Sequence, residues 1–336
     1  MNGDEKMNLI IIGNGFDIAH GINSRYSDFY NYLTSFESEP RPMFAEFPTF
    51  LDRNSISNED LKKHELIKRL EKYIPREDLW SCFEEALGNL DYHQLQEDNS
   101  SFLIGYGDDN WGDSANHDYQ YIIQEELNFT NDIDYQFKRW ISRLNTMVQP
   151  LQSIIEILNI CKDSQTLFLN FNYTDTLERT YGIERKSILY IHGKVGESMK
   201  LILGHHNDSL WNCQSEDVSQ MTEEEYEHYC EYLQERDFRE VEAESIIKAF
   251  FKTTYKDTKK IIEQNKMFFL QQNVCRRVFV LGHSLSEIDF DYFREIRKNT
   301  LQSCEWFILA YSSDDINRAL QFVDILQIQW YKIIQI

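Results

Sequence analysis

The stretch NLIII at Asn8–Ile12, followed directly by GNGFD at Gly13–Asp17, decides the fold of this chain. Five apolar residues that end at a glycine predict a short buried strand, because a helix needs a longer apolar pattern. A helical pattern follows at Ser27–Phe36, with Ser27 or Asp28 near its N-cap. A buried strand, a glycine loop and a helix in this order predict the opening unit of an α/β sheet.

Further strand patterns lie in the second half of the chain, separated by helical stretches. Each is a short apolar run, as expected of strands that are buried on both faces of a sheet. We therefore predict a Rossmann-like α/β fold with a mostly parallel sheet, in which ligands bind beyond the carboxyl ends of the strands. The predicted strands after the first are Thr166–Phe171, Ser187–Ile191, Lys200–Leu203, Arg277–Leu281, Glu305–Ala310 and Ile325–Ile334.

Residues 37–160 carry a different pattern, in which helical spacing alternates with polar segments. Asp78–Leu90 and Tyr119–Asn159 show helical spacing, whereas Asp91–Asp118 is polar and strand-poor. We predict a single Rossmann-like domain over residues 1–336, interrupted by a helical insertion at 37–160 that contains a polar loop.

The chain has a formal net charge of -22 at pH 7. An acidic surface repels nucleic-acid phosphates and anionic lipid headgroups, so we expect neither nucleic acid nor membrane as a partner. A small anionic ligand is compatible with this charge, because backbone N–H groups and a helix N-terminus can hold a diphosphate locally. The composition therefore favours a small-molecule site.

The cysteines at positions 82, 161, 213, 230, 275 and 304 form no C-x-x-C pair. This spacing predicts reduced thiols instead of a disulfide framework or a zinc ribbon. Together with a polar start and no apolar run of membrane-spanning length, it predicts a cytoplasmic protein. The His205-His206 pair predicts a polar loop, because adjacent histidines do not easily ligate one ion, and no metal site is expected.

The glycine loop after the first strand is the first of four candidate motifs. Glycines at this place let a backbone approach a phosphate or ribose closely. The fingerprint G-x-G-x-x-G is incomplete, because Ile18 holds the position of the third glycine, so an ordinary dehydrogenase is a poor fit. The competing interpretation is a strand-to-helix turn in which Asp17 caps the helix. The candidate binding residues of this loop are Gly13, Asn14, Gly15, Phe16 and Asp17.

Two further motifs follow the next predicted strands. Asn172-Tyr173-Thr174-Asp175 comes after Thr166–Phe171, at a place where an asparagine or threonine is commonly just a helix cap. His192-Gly193 comes after Ser187–Ile191, and an imidazole titrates in the range that suits a general base near neutral pH. A lone histidine at a strand end is usually structural, so both interpretations stay open.

The fourth motif is GHSLSEID at Gly282–Asp289, directly after Arg277–Leu281. Again a glycine ends a buried strand and opens a helix. In the structural interpretation Ser284 or Ser286 caps that helix, with Asp289 as the capping-box partner of Ser286. The sequence contains neither a hydrolase G-x-S-x-G motif nor a phosphate-binding G-x-x-x-x-G-K-[ST] motif. The candidate binding residues of the fourth motif are Gly282, His283 and Ser284.

Taken together, these segments resemble the AbiH family of phage abortive-infection proteins. They extend from the start of the chain to residue 293, whereas the insertion carries little of the resemblance. The family implies phage defence in which an infected cell stops growing or dies. The resembling segments are IIIGNGFDIAHGINSRYSDF at Ile10–Phe29, WSCFE at Trp80–Glu84, FNYTDTLE at Phe171–Glu178, IHG at Ile191–Gly193, KTTYKDT at Lys252–Thr258 and LGHSLSEIDFDYF at Leu281–Phe293.

The order of the four motifs is also similar to that of sirtuin-type NAD domains. Gly13, Gly15 and the Gly21-Ile22 pair match the spacing of the sirtuin G-A-G-x-S loop and its G-I pair, with Asp17 at the serine position. The resemblance is to a loop that lies against NAD, and it therefore implies NAD as substrate or ligand.

The later sirtuin motifs carry the catalytic residues. Asn172 and His192 match the catalytic asparagine and histidine, although Thr174 replaces the usual aspartate. The G-T-S-L loop that lines the NAD site is matched by Gly282, His283, Ser284 and Leu285, with the histidine in place of threonine. The four-cysteine zinc module of deacetylating sirtuins has no counterpart, so the resemblance implies NAD handling without protein deacetylation.

The leading expectation is an NAD glycohydrolase that cleaves the nicotinamide–ribose bond. In that role Asn172 orients the ribose hydroxyls or the water, and His192 is the general base. Gly13–Asp17 and Gly282–Ser284 hold the diphosphate and riboses through backbone donors. Gly15→Val is then expected to block nucleotide binding with little loss of fold.

The alternative expectation is a non-hydrolytic sensor of NAD, ADP-ribose or another nucleotide that acts through a partner. A nuclease or nucleotidyltransferase is disfavoured by the charge and by the lack of a clear carboxylate cluster. The sequence leaves open a homo-oligomer and does not identify the phage trigger.

Overall fold

The structure is a computed structural model that describes residues 7–36, 42–44, 47–51, 57–105, 107–109, 111–162, 164–198, 200–209, 211, 222–225, 227–228 and 236–335. Its strands are β1 (Met7–Ile12), β2 (Pro42–Phe44), β3 (Phe47–Leu51), β4 (Gln165–Asn170), β5 (Ile188–Tyr190), β6 (Cys275–Leu281), β7 (Glu305–Ala310) and β8 (Tyr331–Gln335).

The α-helices include short and long examples. They are α1 (Asn14–Ala19), α2 (Tyr26–Thr34), α3 (Asn58–Tyr73), α4 (Arg76–Ser81), α5 (Phe83–Leu87), α6 (Tyr92–Asp98), α7 (Asp118–Leu127), α8 (Thr130–Arg143), α9 (Gln152–Cys161), α10 (Thr176–Tyr181), α11 (Phe238–Thr253), α12 (Thr258–Gln264), α13 (Lys266–Leu270), α14 (Phe290–Asn299) and α15 (Ser313–Ile325).

Six strands form one parallel sheet in the order β5-β4-β1-β6-β7-β8. When these six are counted along the chain, their order is 3-2-1-4-5-6, the arrangement of doubly wound Rossmann folds. The predicted Rossmann-like α/β fold is therefore confirmed. The strand order reverses between β1 and β6, and in open α/β sheets this switch point is where ligands bind.

The central strand of the sheet is buried on both faces. In β1, Leu9 and Ile11 belong to one hydrophobic core, which also contains residues of α12, α13, α14 and α15. Ile10 and Ile12 belong to the other core, which contains residues of α1, α9 and α10. Helices on both faces explain why the strands are continuous apolar runs without polar alternation.

The chain divides into two compact units, which are described separately. The first unit comprises Met1–Phe29, Phe137–Ile202 and Asp257–Ile336 and contains the parallel sheet. The second unit comprises Tyr30–Gln136 and Leu203–Lys256; it is mainly helical and contains the small antiparallel sheet of β2 and β3. A single domain interrupted by an insertion at 37–160 stays a prediction.

The segment Lys200–Leu203, predicted as a strand, is not one. Instead, the N–H of Ile202 donates to the carbonyl of His192 over 2.9 Å, and the hydroxyl of Tyr173 donates to the carbonyl of Ile202 over 2.8 Å. The backbone of Ile202 is therefore bonded to the loops that follow β4 and β5 and not to a strand of the sheet.

The polar stretch Asp91–Asp118, predicted as a loop, contains helix α6 and two short 3-10 turns. The helix begins at a side-chain cap, because the carboxylate of Asp91 accepts the N–H of Gln94 over 2.9 Å. The predicted loop is wrong for this part, since a capped helix of seven residues can form from mainly polar residues when one apolar side chain, Leu95, is buried.

The four cysteines that the structure describes, at positions 82, 161, 275 and 304, have free thiols. Cys213 and Cys230 lie outside the described residues. Within the described ranges, the helices are too short or too polar to cross a bilayer.

The loops after β1 and β6 touch through their backbones at the switch point. The N–H of Gly15 donates to the carbonyl of Gly282 over 2.7 Å, and that of Gly13 donates to the carbonyl of Leu281 over 3.0 Å. A Cβ on Gly282 would lie 2.2 Å from the backbone nitrogen of Phe16. Since Gly282 also has a φ of 65°, only glycine fits this position without strain.

This contact yields a stability prediction with a matched control. Gly282 and Gly182 have φ values of 65° and 66°, but no described heavy atom lies within 4 Å of a Cβ placed on Gly182. Gly182→Ala should therefore cost only the left-handed strain, about 1–2 kcal/mol. Gly282→Ala should cost about 1–3 kcal/mol more, because its Cβ collides with backbone. Urea unfolding of both variants measures the difference; equal losses would contradict the close approach.

Candidate active site

The four motifs meet at one edge of the parallel sheet. The strand register pairs Ile12 with both Asn170 and Leu281, and pairs Asn170 with Tyr190. The loops that follow β1, β4, β5 and β6 therefore lie side by side at the carboxyl edge. The sequence correctly predicted that these four segments come together.

Asp17 is a buried carboxylate held by two threonine hydroxyls. Thr174 donates to its Oδ2 over 2.5 Å, and Thr176 donates to its Oδ1 over 2.8 Å. Burial raises the pKa of Asp17 above its ordinary value, against the opposing effect of these hydrogen bonds. Asp17 lies inside α1, whose N-cap is Gly13, so the interpretation of Asp17 as the helix cap is wrong.

Asn172 is the second polar residue of this edge. Its backbone N–H donates to Oδ1 of Asn170 over 3.0 Å, which fixes the turn that follows β4. The residue is 6% exposed, and its Nδ2 has no hydrogen-bond partner among the residues that the structure describes. Burial raises the pKa of Asp17, and the nearby Asn172 amide is one of the groups that oppose this rise. Asn172 therefore places a buried amide donor beside the Asp17 carboxylate, with which it interacts only weakly.

His192 lies directly beyond β5 and is buried. Its ring packs edge-on against Phe171, with centroids 5.3 Å apart, and lies 6.2 Å from the ring of Tyr173. Since these aromatic residues are the two chain neighbours of Asn172, His192 and Asn172 belong to one compact region. The prediction that both follow adjacent parallel strands is confirmed.

Asp289 is a site residue that the sequence reasoning missed. Its Oδ1 lies 3.8 Å from Nε2 of His192, and its Oδ2 lies 3.5 Å from Nε2 of His283. The side chain of Ser286 makes no cap bond, so the capping-box interpretation of Asp289 is wrong. The available signal was the occurrence of a histidine and an aspartate in one loop after a buried strand.

The glycine loop after β1 forms backbone hydrogen bonds with the loop after β6. The N–H groups of Gly13 and Gly15, which we expected to hold a diphosphate, donate to the carbonyls of Leu281 and Gly282. A Cβ on Gly15 would lie 2.7 Å from the carbonyl oxygen of Gly282, so Gly15→Val is now expected to disturb the fold as well. Ligand binding by these two residues stays a prediction.

The other predicted binding residues have varied surroundings. Nδ2 of Asn14 donates to the carbonyl of Ser24 over 2.9 Å, and Oδ1 of Asn14 accepts the Ser24 hydroxyl over 2.6 Å. These two bonds fix the position of the chain after α1. Phe16 is part of the core beside α9 and α10. Ser284 is exposed, and His283 faces Asp289. Their contact with a nucleotide also stays a prediction.

The motif residues of the second unit have structural partners. Nε2 of His205 lies 3.0 Å from the carbonyl of Phe251, and its Nδ1 accepts the N–H of Asn207 over 3.2 Å. The buried ammonium of Lys256 pairs with Glu84 over 2.7 Å. Among the described residues, no group of three or more His, Cys, Asp or Glu side chains is arranged to hold a metal ion.

Comparison with known proteins assigns the chain to a family. A family model described as "Bacteriophage abortive infection AbiH" matches residues 9–310, which include all four motifs. The chain belongs to the AbiH family. No curated protein and no solved structure matches it, so the sirtuin-type resemblance of this AbiH chain stays a prediction.

The raised pKa of Asp17 predicts a pH dependence of stability for the AbiH chain. Because the folded-state pKa of Asp17 lies above its ordinary value of 3.8, the folded protein keeps this carboxyl protonated at pH values where the unfolded chain has lost the proton. The free energy of unfolding should therefore fall as the pH rises above 3.8. Asp17→Asn cannot ionise, so its loss of stability between about pH 4 and about pH 7 should be smaller than that of the wild type. Denaturant unfolding at both pH values measures this difference. The exposed Asp109→Asn is the control; identical losses in Asp17→Asn and wild type would contradict the burial effect.

Proposed function

We propose that this AbiH protein binds NAD at the carboxyl edge of β5, β4, β1 and β6 and hydrolyses its nicotinamide–ribose bond. The observation that carries the proposal is the buried Nδ2 of Asn172, which makes no well-formed hydrogen bond to a described residue and interacts only weakly with the neighbouring Asp17. A buried amide left without a hydrogen bond costs roughly 1–3 kcal/mol. An amide that served only the fold would be expected to find a protein acceptor, whereas one that serves a ligand would receive its acceptor with the ligand.

A ribose hydroxyl fits the surroundings of Asn172. Hydroxyls both accept and donate, so one hydroxyl could accept from the amide and donate to a neighbouring oxygen. The site lies at the topological switch point, where dinucleotides bind in sheets of this strand order. NAD therefore suits the polar groups of the edge better than a ligand without a sugar does.

The reaction needs few groups from the protein. In NAD the nicotinamide leaves from a cationic pyridinium as a neutral molecule, so the bond can break without a strong general acid, through an oxocarbenium-like transition state. Water attacks C1′ of the ribose, the C1′–N bond breaks with its electron pair moving to the nicotinamide ring, and His192 takes the proton of the water. The products are nicotinamide, ADP-ribose and a proton.

The proposal also constrains how the diphosphate is held. The N–H groups of Gly13 and Gly15 already donate to the loop of Gly282, so they could serve a diphosphate only if these two loops moved apart. An enzyme that consumes NAD without control would be toxic to its own cell. Separation of the two loops would be one way in which a phage signal could control the proposed reaction.

The deciding experiment is incubation of the purified protein with NAD, with chromatographic measurement of free nicotinamide. Nicotinamide release with equal formation of ADP-ribose supports the hydrolase. Binding of NAD without release, measured by calorimetry, would instead identify a nucleotide sensor. If the protein neither binds NAD nor releases nicotinamide, NAD is excluded as its ligand and substrate.

The proposed roles predict how two variants lose activity. His192→Ala should lower nicotinamide release by about 10²–10⁴-fold, because it removes the base. Asn172→Ala should lower it by about 10²-fold through loss of orientation. The double variant should lose less than the product of the two, because both residues serve one step.

Two comparisons separate catalysis from folding in these variants. NAD affinity should change much less than turnover, and the exposed His117→Ala should behave as the wild type in both. A structural role would give the opposite pattern, with lower thermal stability in His192→Ala and Asn172→Ala and unchanged turnover per folded molecule.

A further inference from the structure

The two edges of the parallel sheet differ in length and in exposure. At one edge, β5 has three residues, of which Ile188 and Tyr190 are buried, and the carbonyl of Ile188 accepts Nη1 of Arg185 over 2.7 Å. At the other edge, β8 has five residues, and the side chains of all but Ile333 are exposed. A long exposed edge strand is a surface to which another strand can add.

We propose that β8 pairs antiparallel with β8 of a second copy of this chain, around a two-fold axis at Ile333. The pairing would join two six-stranded sheets into one. Among the residues that the structure describes, β8 pairs with β7 alone, so its outer side is open to a partner strand. The candidate sites of the two copies would lie at opposite edges of the joined sheet. This proposal concerns assembly and does not depend on the proposed reaction.

The backbone of β8 fits this pairing. The carbonyl of Trp330 accepts the N–H of Trp306 in β7 over 2.8 Å, so it faces β7. Because the backbone groups of successive residues in a strand point to opposite sides, those of Tyr331, Ile333 and Gln335 point away from β7. With the axis at Ile333, this residue pairs with its own copy and Tyr331 pairs with Gln335 of the second copy. Each pair can exchange both of its N–H···O bonds, so the same edge serves as donor and acceptor on both copies.

The charge of this segment favours a second copy of the same chain as the partner. The chain has a formal net charge of -22, so two copies repel each other on average. Residues 325–335, in contrast, contain one lysine and no aspartate or glutamate. Trp330, Tyr331 and Ile334 are also exposed large apolar side chains. Two copies can therefore meet at β8 without opposing carboxylates, and they bury apolar surface there.

Lys332 selects the register of the two strands. An axis at Lys332 would place the two lysines directly opposite each other, which is unfavourable. An axis at Ile333 instead places Lys332 opposite Ile334 of the second copy. Since side chains alternate along a strand, Trp330 lies on the same face as Lys332 and Ile334. Its indole can reach Ile334 of the second copy along the diagonal between the strands.

Substitutions of the exposed Ile334 test both the contact and its register. Ile334→Lys places a lysine opposite Lys332 of the second copy, Ile334→Glu places a carboxylate there, and both remove the same apolar side chain. The dissociation constant of the dimer should be larger for Ile334→Lys by roughly 10- to 100-fold, because the axis repeats the altered pair. Adding Lys332→Glu to Ile334→Lys should restore the affinity of Ile334→Glu. Met267→Lys, at an exposed position of α13, is the control and should match the wild type.

Sedimentation equilibrium of the full chain over a range of concentrations measures these dissociation constants. We expect wild-type protein to have twice the chain mass at micromolar concentration. A wild type that is monomeric throughout this range would overturn the proposal and leave the edge to a different partner. Equal dissociation constants for Ile334→Lys and Ile334→Glu would also overturn it, because the dimer would then use another surface or register.

Hydrogen exchange of the wild type tests the pairing without any variant. In the dimer, the N–H groups of Ile333 and Gln335 should exchange with solvent more slowly than in protein diluted to the monomer, because they become hydrogen-bonded. If these two amides exchange equally fast in monomer and dimer, the β8 pairing is wrong, even if a dimer exists.

Discussion

The backbone contact between the loops after β1 and β6 is the constraint on which the rest of the candidate site depends. The hydrogen bond from Gly15 to Gly282, 2.7 Å long, joins the two halves of the sheet at the point where the strand order reverses. Because Gly282 has no Cβ, α1 can begin close to the loop that carries His283. Asp17 lies on the α1 side of this contact, and Asp289 lies on the side of the loop after β6.

The candidate site contains both satisfied and unsatisfied buried polar groups. In the second unit, Lys63 pairs with Asp60 at 2.7 Å and also donates to a backbone carbonyl, so this buried charge is satisfied. In the first unit, Asp17 is satisfied by two threonine hydroxyls, while Asn172 keeps a buried Nδ2 without a partner among the described residues. Asn172 is one of several described residues with such an atom, and its place beside Asp17 at the switch point is what makes it a candidate for contact with a ligand.

The sequence predicted the strands and their glycine turns because both depend on local chemistry. An apolar run such as Asn8–Ile12 is visible without knowledge of its neighbours, and so is the glycine that ends it. The sheet order could not be read in the same way, since it depends on which strands pair across long separations. Lys200–Leu203 shows the limit: its apolar residues resemble a strand, but its backbone bonds to the loop of His192.

The site was predicted less completely than the fold for the same reason. Asn172 and His192 follow predicted strands, so topology alone brings them together. Asp289 lies at a spacing from Ser286 that also suits a capping box, and only the turn at Leu285 shows that its carboxylate faces the two histidines. The N–H groups of Gly13 and Gly15 bond to a loop more than 250 residues away along the chain, and the local sequence does not show this pairing.

The central claim is that the Asn172 amide is reserved for a ligand sugar. The most direct test is the side-chain ¹⁵N–¹H₂ signal of Asn172, assigned with the Asn172→Asp variant and followed during titration with ADP-ribose. The account predicts that this signal shifts with the added ligand and that its hydrogens become slower to exchange with solvent. A signal that stays unchanged up to millimolar ADP-ribose would contradict it.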